Sequence, residues 1–177
     1  MENLKKFNSE QIGIVNNAAG MAEELVNDAY KISTNQWRGP RYDIKTLADL
    51  CNGEIVYGPF AQIIRYEGQI NNSHLISSTY DFYKICLQDH SILSLLKQKP
   101  RLRLFPFVLY TTIHELVHIV RFSKFLQAFD ASYEEKFDEE TRVHKKTHEI
   151  LAEIQIDALE NVLRFHSKWL THPQRTL

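Results

Sequence analysis

Phe107-Val108-Leu109-Tyr110-Thr111-Thr112-Ile113-His114-Glu115-Leu116-Val117-His118-Ile119-Val120 is the stretch on which the reading of this chain turns. Nearly all of it is apolar apart from two threonines and three ionisable side chains. Pro106 stands just before it, and proline fits the first turn of a helix because the N–H it lacks has no partner there anyway. We therefore expect a helix from Pro106 to about Gln127. So apolar a helix belongs in a protein core. It does not read as a membrane span, because Pro106, His114, Glu115 and His118 interrupt the run from Phe105 to Val120, and a span needs about 18 apolar residues or more.

On such a helix His114 and His118 lie one turn apart on one face, so both imidazoles can reach one metal ion. Glu115, beside the first of them, can take a proton from a water activated by that metal. The five-residue spacing alone is moderately specific, and its setting sharpens it. Two histidines and a glutamate left unpaired among apolar side chains would be costly. A metal compensates; so would hydrogen bonds to neighbouring groups, with no metal at all.

The His114-Glu115-Leu116-Val117-His118 segment resembles the H-E-x-x-H helix of the zincin metallopeptidases. With a downstream ligand helix, the resemblance covers about a third of the chain. It implies that His114 and His118 bind Zn2+ and that Glu115 is the catalytic base. It also implies a peptide or protein substrate. Arg121, Phe122 and Lys124 follow without the glycine and third histidine of the metzincin subgroup. That leaves the gluzincin arrangement, in which a glutamate on the next helix completes the site. A catalytic zinc takes three protein ligands and keeps a fourth position for water.

The last long helix, expected from about Tyr133 to His166 with a capping Ser132 or Asp130 and a possible break, offers Glu140, Glu149, Glu153 and Asp157. Successive residues advance about 100° around a helix. With Phe137 at zero, Val143, Ile150, Leu151, Ile154, Ala158, Val162 and Phe165 fall at roughly 220° to 340°. Glu140 falls near 300° and His144 near 340°, whereas Glu149, Glu153, Asp157 and Glu160 cluster at roughly 120° to 200°. The E-x-x-x-D pattern of Glu153 and Asp157 looks familiar but points to solvent. Glu140 is therefore the preferred third ligand. His144 is a second catalytic candidate, orienting Glu140 or contacting an oxyanion, or itself a ligand. A histidine stands there where gluzincins usually carry an aspartate. His148, at the edge of the stripe, is a weaker candidate.

Other side chains invite two readings. Arg121 lies near the metal face and can bind a substrate carboxylate, although pairing with a structural acid is commoner. Tyr110 is either a core aromatic or a donor to the transition state. Phe60 to Tyr66 is either an ordinary strand or an edge against which an extended peptide can pair. His90, His166 and His172 read as solvent or cap residues.

The remaining chain supplies a scaffold. Residues 9 to 33 are expected to form a first helix capped by Ser9, with Ile12, Val15, Ala19, Met21, Leu25 and Ala29 as its apolar stripe. Gly39-Pro40 breaks the chain, and Asp43 can cap a short helix to Leu50. Ile55 to Gln69 holds one or two strands, Asn71 to Ser73 a loop, Tyr80 to Leu87 another strand, and Ile92 to Leu96 a short helix. This is an α+β pattern, mainly helical with a small sheet, and 177 residues suit one domain, 1–177.

The formal net charge of −1 disfavours nucleic acid as a partner. No signal peptide is visible and no membrane association is expected. The two cysteines, Cys51 and Cys86, fit reduced thiols and a cytoplasmic setting. Two rival readings accompany the hydrolase. One is a metal-binding or interaction protein without catalysis. The other is a di-metal helical protein, for which Glu115-x-x-His118 supplies half a site and Glu140-x-x-x-His144 has the wrong spacing for the other half.

Overall fold

A computed structural model describes residues 4–32, 41–69, 79–124 and 128–171. It is α+β: five helices and a three-stranded sheet, with α3 at the centre. The helices are α1 (Ser9–Tyr30), α2 (Asp89–Gln98), α3 (Leu104–Ser123), α4 (Tyr133–Leu151) and α5 (Leu159–His166). The strands are β1 (Arg41–Lys45), β2 (Ala61–Gln69) and β3 (Thr79–Leu87). The expected loop at Asn71–Ser73, the Gly39-Pro40 break, Gln127 and His172 lie outside the described residues.

α3 is buried on nearly every side. Phe107, Val108, Leu109, Ile113, Val117 and Ile119 are wholly inaccessible, as expected of a helix apolar all round. Burying one such large side chain stabilises by about 1.5–3 kcal/mol. α1 packs along α3 through Val15, Ala18, Ala22 and Val26, and the two alanines allow close approach. Asn8, not Ser9, caps α1: it accepts from the Gln11 N–H while the Gln11 side chain accepts from the Asn8 N–H. The helix ends at Tyr30, where Lys31 turns left-handed (φ 52°).

The sheet runs β1-β3-β2, so β2 is an edge strand. β1 is parallel to β3, with Ile44 opposite Ile85, and β2 is antiparallel to it, with Ile63 opposite Ile85. Two expectations fail here. Asp43 does not cap a helix but lies within β1, because pairing with the buried β3 outweighs local capping; the 3-10 turns Leu47–Asp49 and Asn52–Glu54 follow. Ile55 to Phe60 is not strand either, since Gly58 adopts φ +104° and Pro59 follows; pairing begins at Ala61.

Asp89, buried at the start of α2, ties the sheet to the helices. Its two oxygens accept from the Phe7 and Leu47 N–H groups, each at 2.9 Å. Ser132 caps α4 with a reciprocal Glu135 bond. The last helical segment is broken: α4 stops at Leu151, and α5 begins after Ala158 at φ 61°. No described helix is long and apolar enough to cross a membrane. Cys51 is exposed, Cys86 is buried, and both are free thiols.

Candidate metal centre

His114 and His118 project from the middle of α3 toward α4, and Glu140 projects back from the second turn of α4. The two Nε2 atoms are 3.2 Å apart. Glu140 Oε2 is 3.2 Å from His114 Nε2, and Glu140 Oε1 is 3.1 Å from His118 Nε2. Both histidines are buried, at 8% and 5% exposure. Among the described residues this is the one group of three such donors that converge. The group can hold a metal ion. Bonds of about 2.0–2.1 Å to a tetrahedral zinc put neighbouring ligand atoms about 3.3 Å apart. The observed spacings are close to that, and two nitrogens with one carboxylate match the ligand set of a catalytic zinc. Three electron-rich atoms aimed at one buried point also suit a cation better than one another. His114 Nδ1 is buried with no partner among the described residues.

Burial opposes ionisation of Glu140, but the His114 and His118 rings beside it outweigh that and hold the carboxyl well below the usual range. Glu115 lines the same cavity, with its carboxyl pushed up by burial against the pull of His114 and His118. A carboxyl raised in this way is a better proton acceptor when it ionises.

His144 stands just outside the donor group, its Nε2 3.9 Å from Glu140 Oε2. Its Nδ1 lies 2.6 Å from the Tyr110 hydroxyl, which is also 3.2 Å from His148 Nδ1. A buried phenol must donate somewhere, and the shorter contact assigns its proton to His144 Nδ1. His144 then carries its own proton on Nε2, facing the site. Burial, reinforced by His114 and His166, pushes His144 down to about 2, so the imidazole is neutral. Tyr110 is thus both a buried aromatic and the residue that orients His144. Its own pKa is raised by burial and by Glu140.

The other candidates separate clearly. His148 is not at the donor group: its ring nitrogens lie 2.9 Å from the His144 carbonyl and 3.1 Å from the Leu163 carbonyl, joining α4 to α5. Glu149, Glu153 and Asp157 are exposed, as the helical wheel predicts, and Glu149 pairs with Lys146. Arg121 faces an acid the wheel passed over. It binds Glu139 through Nε (2.6 Å) and Nη2 (2.9 Å), and Arg142 holds the same carboxylate.

His166 is a correction. It is neither a solvent nor a cap residue but is buried, with its ring parallel to Tyr110 at 4.1 Å. Burial, then His114, pushes it down to about 3. Leu159, Val162 and His166 form one helical face, a stripe that could have signalled the burial. His90 is also not a solvent residue: it is half-buried, edge-on to Tyr57 at 5.3 Å.

The donors open into a cavity of about 720 Å³. It is lined by Gly58 to Ile63, which end in the first residues of edge strand β2, and by aromatic side chains that include Phe122, Phe129, Phe165 and Trp169. Comparison with known proteins gives no match to a family model, a curated protein or a solved structure. Geometry and chemistry therefore carry the functional argument.

Proposed function

We propose that this protein is a zinc-dependent hydrolase of zincin type, acting on peptides. The observation that carries the reading is the convergence of His114, His118 and Glu140 in a cavity lined by Glu115 and by an edge strand. Zinc bound there supplies a Lewis acid and lowers the pKa of its water to about 7. Glu115 takes a proton from the attacking water and returns it to the leaving amine. The His144 N–H faces the donor group, where it can stabilise negative charge developing on the substrate, and Tyr110 holds it in that tautomer. Ala61 to Ile63 of β2 present a free strand edge to an extended substrate, since β3 occupies the other side.

The test is Glu115→Gln. Zinc content should survive, while hydrolysis of a peptide library falls by about 10²–10⁴-fold, the usual contribution of a general base. Activity unchanged in the variant removes Glu115 from the mechanism. Zinc bound by four protein donors with no cleavage would favour a binding protein instead.

A further inference from the structure

We propose that Lys136 and Lys168 give this cavity a carboxylate-binding subsite, which selects peptides carrying an acidic group near the scissile bond. The inference rests on the cavity being where substrate meets the metal. Lys136 and Lys168 both line it. They reach it from different elements, α4 and the 3-10 turn Ser167–Trp169. Their chain neighbours Phe137 and Trp169 touch, with ring centroids 5.8 Å apart, so the two elements that carry the lysines meet beside the cavity. Trp169 in turn stacks on His144 at 5.0 Å and 13°.

The charges lining the cavity do not balance. Its lysines and arginines are Lys136 and Lys168 alone among the described residues, whereas Arg65 and Arg121, outside the lining, pair with Asp130 at 3.7 Å and with Glu139. Neither lysine has an ion-pair partner among the described residues, and Lys168 Nζ lies 5.9 Å from the Phe165 ring centroid. The acids lining the cavity are Glu115 and Glu140. The proposed chemistry uses both, and together they only balance a divalent ion. Two positive charges remain, beside a low-dielectric wall of rings that strengthens their field.

Distance limits where the acidic group sits. Lys136 precedes Glu140 by four residues, about 6 Å along the helix axis. Extended peptide advances about 3.3 Å per residue. Positions one and two residues to either side of the scissile bond are therefore the first to test. An acidic side chain and a free C-terminus offer the same chemistry.

Peptide hydroxamates bound to the zinc-loaded protein test this without requiring turnover. One amidated set carries Glu, Gln or Lys one or two residues to either side of the hydroxamate. A further compound carries Gln and a free C-terminal carboxylate. Titration calorimetry should show the best Glu compound binding about five- to tenfold tighter than its Gln counterpart, as expected for two exposed charge pairs. The Lys compound should bind weakest, and the preference should shrink as salt is raised. K136Q/K168Q should erase the ranking while zinc content stays the same. If the gain follows the free carboxylate, the source is the chain end. Equal affinities for Glu and Lys, or a ranking indifferent to K136Q/K168Q, overturn the subsite. Failure of every parent peptide to be cleaved would count against the hydrolase and leave the affinity ranking standing. Failure to bind zinc would remove both.

Discussion

The carboxylates of Glu54 and Glu140 are both held well below the usual range, but their surroundings differ in kind. Glu54 accepts from three donors that carry their own protons: the Cys51 N–H at 2.9 Å, the Tyr66 hydroxyl at 2.8 Å and the Lys84 ammonium. Gln88 completes that cluster by donating to the Glu54 carbonyl at 3.0 Å and accepting from the Val56 N–H at 3.1 Å. Glu140 is instead faced by two imidazole nitrogens that also face each other. The first cluster is complete as folded and joins a turn to the sheet. The second points its donors at a shared centre that a cation can complete. Buried polar groups demand partners, and the kind of partner still wanting separates a structural cluster from a candidate site.

The largest expected effect comes from removing a donor at the incomplete cluster. His118→Ala should abolish stoichiometric zinc retention, read by elemental analysis after dialysis. It should also abolish the zinc-dependent rise in Tm, because a ligand present at 1,000 times its Kd stabilises by about 4 kcal/mol. Retention of one zinc per chain in this variant would break the contrast between the two clusters.

Tyr110→Phe is next. It removes the hydroxyl that fixes the His144 tautomer and leaves the ring against His166. Peptide hydrolysis should fall about 10–100-fold, the usual cost of losing an outer hydrogen-bond partner. Zinc content should be unchanged, which distinguishes orientation of His144 from ligation by it. A matching loss of zinc would make His144 a ligand.

The sequence made one of these clusters legible and hid the other. His114 and His118 could be read because a helix turns an i, i+4 spacing into proximity. Glu140 could be read because α4 holds its phase as far as Leu151. His166 could not be read in the same way: it lies on α5, a separate helix beyond the break at Ala152–Ala158, and its burial shows only in the stripe of Leu159, Val162 and His166. Glu54 had no local signature at all. Its partners Tyr66 and Lys84 are 12 and 30 residues away and meet it only through sheet pairing. For the same reason Asp43 reads in the sequence as a helix cap although it lies within β1. The strand's stability comes from register with β3, which propensity over five residues does not reveal.

Glu54→Gln should destabilise the fold by about 1–3 kcal/mol, since it weakens a buried acceptor set, and should leave zinc affinity unchanged. The pH dependence has a definite sign. Lys84 first, then the Cys51 N–H and Tyr66, hold Glu54 at about 2, below its unfolded value of 4.5. Its contribution is therefore present above pH 4.5 and lost as pH falls toward 2. Urea midpoints of wild type and Glu54→Gln should converge over that interval. A gap that stays constant would remove the ionised Glu54 from the account.

The smallest effect should come from the acids that resemble a zinc-binding pattern in sequence. Glu153 and Asp157 are exposed and lie beyond the end of α4. With water as their partner, they have neither a buried charge to neutralise nor a donor group to complete. E153Q/D157N should change zinc affinity by less than about twofold and stability by less than about 0.5 kcal/mol, the range of ordinary surface substitutions. Competition against a chromogenic chelator reads the first and thermal melting the second. A tenfold loss of zinc affinity would place the third ligand beyond the helix break, because screened surface charges at that distance cannot supply so large an effect.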